Sequence, residues 1–168
     1  VATGDRVVQQ QVITATLDSA IRGLVVAFLL TTVVLVGSYW VLEGRASYGL
    51  VNLLPVLVTV ALLLASMRLL GIPLTPINAP ILSISIGLGV DYTVHFVHRF
   101  ADEREQRETF DALAATVTGA GGALTGSMVT TVSGVGVLLI ALIPLIQEFG
   151  ALIALGIAYA YLSSLLVT

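Results

Sequence analysis

The sequence predicts an all-α, polytopic membrane protein, a bundle of five transmembrane helices with one short cytoplasmic amphipathic connector helix, and three observations carry that expectation. Hydrophobic residues make up 57% of the 168 and charged residues only 10%, against averages of about half and about a quarter for soluble domains. A soluble domain of this length needs more charge to cover its surface. Charges also fall at intervals of about 20 apolar residues, the length that crosses a bilayer. Finally, the apolar runs lack strand alternation and are about twice as long as a membrane strand, which excludes a β-barrel.

Taken in order, residues 1–19 are polar and read as the end of an extracytoplasmic domain or a linker, and 20–168 as the membrane bundle. The chain opens without Met and stops inside an apolar run, as though cut from something longer. The first span is 21–42 and the second 47–69, joined by Glu43-Gly44-Arg45, a link short enough to demand a tight helical hairpin. Tyr39, Trp40 and Tyr48 flank that hairpin as an aromatic belt does at a membrane interface. Pro55, inside the second span, is tolerable because neighbouring helices can satisfy the carbonyl it frees.

Turn chemistry follows from Gly71 to Pro80, with Thr75 or Asn78 placed to cap the third span, 76–99. Residues 100–118 form a cytoplasmic connector, in which Glu103 with Arg107 and Arg104 with Glu108 have helical ion-pair spacing. Thr109 caps a short amphipathic piece through Val117, and Gly119, Gly121 and Gly122 then break or bend the chain. The fourth and fifth spans are 121–143 and 148–168, with Pro144 between them. Both are rich in small residues, including Gly126, Gly134, Gly136, Gly150 and Gly156, and are expected to pack inside the bundle. Arginine placement favours an extracytoplasmic amino terminus, since Arg45, Arg99, Arg104 and Arg107 then lie on the cytoplasmic side.

Composition also excludes functions. The net charge of −3 and the lack of a basic patch argue against nucleic-acid binding. The absence of cysteine excludes disulfides and thiolate metal sites. No nucleophile stands beside a base, so enzymatic activity is not expected.

One constellation carries chemistry. Asp91 is the sole carboxylate well inside any span, where an ionised acid costs ~2.5 kcal/mol or more on insertion scales and is a functional candidate by default. An acid that passes between neutral and charged forms at such a depth is what a proton relay requires; the alternative is an acid that stays neutral and bonds to a neighbouring helix. His95 lies one turn further on and His98 about two, making one stripe towards Arg99. Histidine passes protons near neutral pH, though a ring near the interface, as at His98, is also unremarkable. Metal binding by the same stripe lacks a cysteine or a second carboxylate. Counted from the cytoplasmic ends at about 1.5 Å per residue, Asp91 lies about 12 Å deep, and Ser127, Thr130 and Thr131 of the fourth span about 12 to 18 Å deep. Those hydroxyls can bond the carboxylate or, as is common, their own helix carbonyls. Gly87 and Gly89 permit close approach of the helices.

The ordered set Gly87-x-Gly89-Val-Asp91-Tyr92-x-x-His95, then Arg99 and a charged connector, then Ser127-x-x-Thr130-Thr131 and Phe149-Gly150, resembles the resistance-nodulation-division superfamily, and most closely its MmpL-type and hydrophobe-exporter branches. The resemblance covers nearly the whole chain. It implies the five-helix half of an exporter of lipids or other hydrophobic molecules in the cell (plasma or inner) membrane, driven by the proton gradient and without a cofactor. Asp91 and Tyr92 match the family's relay pair, with His95 beside them and Ser127, Thr130 and Thr131 as relay partners. Membrane lipid, the hydrophobic substrate, the other half with its extracytoplasmic domains, and optionally a second copy are the partners implied. Two rival likenesses are a SecD- or SecF-like protein-export subunit, which Tyr92 and His95 fit less well, and a sterol-sensing-like lipid receptor that moves no protons.

Overall fold

A computed structural model describes residues 2–44, 46–75 and 78–167, and among these the regular structure is entirely helical. Arg45 of the first hairpin and Pro76, the expected start of the third span, lie outside the described residues. Among the described residues five stretches are long and apolar enough to cross a membrane.

Helix α1 runs unbroken over Ala2–Glu43, continuing through the change in composition near residue 20. Its 42 residues extend about 63 Å, roughly twice the hydrocarbon thickness. The reason is local: Thr14 and Thr16 donate their hydroxyls to carbonyls of their own helix, at Gln10 and Val12, instead of competing with it as caps. The second span comprises α2 (Ala46–Val51) and α3 (Leu53–Leu70), interrupted at Asn52. Pro55 has no N–H to give the Val51 carbonyl, which is the physical source of the break. Gly71 ends α3 at φ 68°, where a left-handed residue lets the Ile72 N–H reach the Met67 carbonyl at 2.9 Å.

The following turn is tied by Asn78, whose Oδ1 accepts from the Thr75 N–H at 2.7 Å and whose Nδ2 donates to the Pro73 carbonyl at 2.8 Å. The Asn78 side chain does not cap α4 (Ala79–Arg104), whereas Thr75 meets it in capping geometry, its Oγ1 accepting from the Asn78 N–H at 3.3 Å and its carbonyl from the Ala79 N–H at 2.9 Å. The Glu103–Arg107 pair forms at 3.2 Å, and Glu103 also pairs with Arg99 at 2.6 Å, but α4 ends at Arg104, so Arg104 and Glu108 do not share a helical face.

Helix α5 (Thr109–Gly136) is continuous through Gly119, Gly121 and Gly122 and tightens into a 3₁₀ turn at Val137–Ile140. The separate amphipathic connector helix is therefore absent. A glycine costs a helix only ~1 kcal/mol relative to alanine, and the buried face of Ala112, Thr116 and Leu124 holds α5 to its neighbours across the glycines. Glu108, not Thr109, occupies the residue before its first turn. After Pro144, α6 covers Pro144–Val167.

Helix α4 sits at the centre, packed against α1, α3, α5 and α6. The main core joins Leu63 and Met67 of α3 with Ile81, Phe96, Leu152 and Ile157, and a smaller cluster of Leu35, Tyr39, Leu53 and Val97 fastens the first hairpin. Gly156 brings α6 against α4, since a methyl there meets Ser85 Oγ at 2.5 Å. The expectation that the fourth and fifth spans both pack inside holds only for α6. Half of the α4 span is buried, but only 6% of the α1 and α5 spans. Gly126, Gly134 and Gly136 face open space, so these small residues of α5 have no neighbour to pack against.

Candidate functional site

Helix α4 is inward on most sides: Ser85, Ile86, Gly89, Tyr92, Thr93, Phe96 and Val97 are all buried. One stripe is not. Ile84, Gly87, Asp91, His95 and His98 are exposed at spacings of three and four, a single line along the helix. On one side of this line Val90 packs towards α1, beside Leu24 and Phe28. On the other, Arg99 lies over Gly119 of α5, its Nη2 3.7 Å from where a methyl group would stand. The stripe thus forms the floor of an opening between α1 and α5, and Asp91 stands midway along it.

Ser127, Thr130 and Thr131 are exposed on α5. Counting eight residues from the Arg99–Gly119 contact along each antiparallel helix reaches Asp91 and Ser127, so the two stand at the same level to within about a turn. Yet Thr130 donates to the Gly126 carbonyl and Thr131 to the Ser127 carbonyl at 2.8 Å. Both hydroxyls serve their own helix. Among the described residues none donates to the Asp91 carboxylate. Of the two arrangements open to these hydroxyls, Thr130 and Thr131 take the bond to their own helix.

Tyr92 parts company with Asp91. Adjacent helical residues point about 100° apart, and Tyr92 is buried with its ring edge-on to Tyr161, centroids 6.1 Å apart at 78°. Tyr161 shares a 2.6 Å hydrogen bond with Thr125 Oγ1, and two residues earlier, on the other side of the helix, Tyr159 shares one of 2.7 Å with Ser66. Reading the sequence missed this half-buried pair of tyrosine contacts. The signal was two tyrosines, Tyr159 and Tyr161, deep in the last span, where a phenol needs a partner.

The two glycines also differ in role. A methyl group at Gly89 would stand 3.5 Å from Ala160 Cβ of α6 and 4.0 Å from Val56 Cγ2 of α3, a close approach to helices other than the α5 that was expected. Gly87 has nothing near it and belongs to the exposed stripe. No group of three or more His, Cys, Asp or Glu side chains gathers as metal ligands would among the described residues.

A second opening lies between the first half of α1 and the start of α4. It is a cleft of about 480 Å³ lined by Ala15, Thr16, Ser19, Ala20 and Gly23 against Pro80 and Ser83. Small side chains on both walls make the space.

The sequence profile of the MMPL family matches residues 6–168. A Methanocaldococcus jannaschii protein carrying the name "putative membrane protein" is 38% identical over 112 residues, which cover 66% of this chain and 29% of that relative. The matched part is thus less than a third of the relative's length.

Proposed function

The chain belongs to the MMPL family, and from that premise we propose that it is the five-helix membrane part of a proton-driven exporter of lipids or other hydrophobic molecules. One observation carries the reading: the lone mid-span carboxylate, Asp91, lies on the face of the central helix that this chain leaves uncovered. An acid facing lipid tails is too costly to persist, so that face is covered by a second membrane element or by water. Either surrounding suits an acid that gains and loses a proton.

The covering element is the other half of the same transporter. Beside Asp91, α5 presents an exposed row of small residues, Gly119, Gly122, Ala123, Gly126, Ser127 and Thr130, the composition that lets membrane helices approach closely. Asp91 and His95 then act at the junction of the halves, with Ser127, Thr130 and Thr131 as hydroxyls at the same depth, and Tyr92 supports the helix from within the bundle. A potential of 100 mV supplies about 2.3 kcal/mol per proton, enough to bias two arrangements of closely matched energy. The cleft between α1 and α4 supports a hydrophobic cargo, because an acyl chain matches its small-residue walls. The cell membrane, an extracytoplasmic amino terminus and the absence of any catalytic step or cofactor complete the proposal.

The test is Asp91→Asn in the full-length protein, reconstituted with a pH gradient. Export is expected to fall at least a hundredfold while expression, melting temperature and lipid binding are kept. Undiminished gradient-driven export by the variant sinks the relay; gradient-independent lipid binding without export in the unsubstituted protein points to a receptor module instead.

A further inference from the structure

Four polar residues on three helices are buried, beginning with Asn52 at the bend of the second span: Asn52, Thr93 and Ser164 are 0% exposed and Ser163 is 3%. Most of their polar atoms are accounted for. Asn52 Nδ2 donates to the Tyr48 carbonyl at 2.9 Å, Thr93 to the Gly89 carbonyl at 3.0 Å and Ser164 to the Tyr161 carbonyl at 2.7 Å. Two are not: Asn52 Oδ1 and Ser163 Oγ have no protein partner. Leaving a buried polar group unmatched costs ~1–3 kcal/mol.

Their placement follows from a neighbouring contact. A methyl on Gly89 stands 3.5 Å from Ala160 Cβ and 4.0 Å from Val56 Cγ2, which marks one level at which α3, α4 and α6 meet. One turn along the same three faces come Asn52, Thr93 and Ser164, four residues from Val56, Gly89 and Ala160 respectively. Ser163 continues the stripe of Leu152, Gly156 and Ala160, and Gly156 faces Ser85 and Leu63, so this stripe looks into the groove between α3 and α4.

We propose that this junction holds an ordered water molecule that donates to Asn52 Oδ1 and accepts from the Ser163 hydroxyl. A buried water needs two to four polar partners. Pro55 supplies the makings of another, since it denies the Val51 carbonyl its helical donor one residue before Asn52. A cation fits less well. The four residues are neutral, and stripping an ion of its hydration without a counter-charge is far costlier than burying water. The bound water ties the bent start of α3 to α6, so that these two helices move as one body whatever α1 and α5 do.

The test uses the full-length protein in lipid nanodiscs. A density map fine enough to show waters should hold a peak about 2.6–3.2 Å from both atoms. Asn52→Leu and Ser163→Ala should be coupled, with the double variant's unfolding equilibrium roughly five- to tenfold closer to wild type than the two single effects predict. The unfolding temperature should be the same in sodium and in choline chloride. A map without the peak, additive effects, or a melting temperature that rises with sodium each overturns the proposal; the map needs no variant, so a substitution that fails to fold leaves the test intact.

Discussion

Single residues decide how closely these helices approach. At Gly49 a methyl group would lie 2.7 Å from the Val36 Cα and 2.8 Å from its nitrogen, so the first hairpin meets backbone against backbone. Backbone cannot swing aside as a side chain can. Gly49→Ala must push α1 and α2 apart, and overpacking of this kind costs ~1–3 kcal/mol; the measurement is a thermal melt of the purified full-length variant, where a clear drop in melting temperature is expected. Asp91 shows the same dependence on place. The sequence alone singled it out, because one carboxylate in an apolar span is a signal that needs no structure. Which way it faces was not legible, since the partners that cover α4 are set by packing between helices distant in sequence. That is also why the neighbour of Tyr92, which helical spacing already turns away from the acid, was not legible: it is Tyr161 of the last helix.

At the scale of elements, apolar length was legible and helix ends were not. All five spans are present because hydrophobic runs of membrane length have no other stable arrangement in lipid. The errors concern continuity. Glycines at 119, 121 and 122 were expected to stop a helix, but a stop needs a cap or a proline as well, and α5 passes through them. Gly121 tests this account. A methyl there meets only Val117 Cγ1 of the same helix, at 4.0 Å. Gly121→Ala should therefore stabilise the protein by ~0.5–1 kcal/mol through helix propensity alone, read as a raised melting temperature; a lowered one would mean that the chain bends at this point. Pro55, by contrast, does interrupt its span, and the break brings the unmatched Asn52 to the junction with α6.

Across the whole molecule, burial is unequal: α3, α4 and α6 form the packed body, and α1 and α5 stand at its edge with few residues covered. Between those edges lies the stripe that carries Asp91. On the proposed function, the other half of the transporter covers that open face and its acid. The central claim is that this acid changes protonation state as the assembled transporter works. Difference infrared spectroscopy of the full-length protein in bilayers, with Asp91→Asn as reference, tests it most directly. The account predicts a protonated-carboxyl band that rises and falls as pH or the proton gradient is changed and that is missing from the variant. A band that stays fixed under every condition, or one that the variant retains in full, would contradict it.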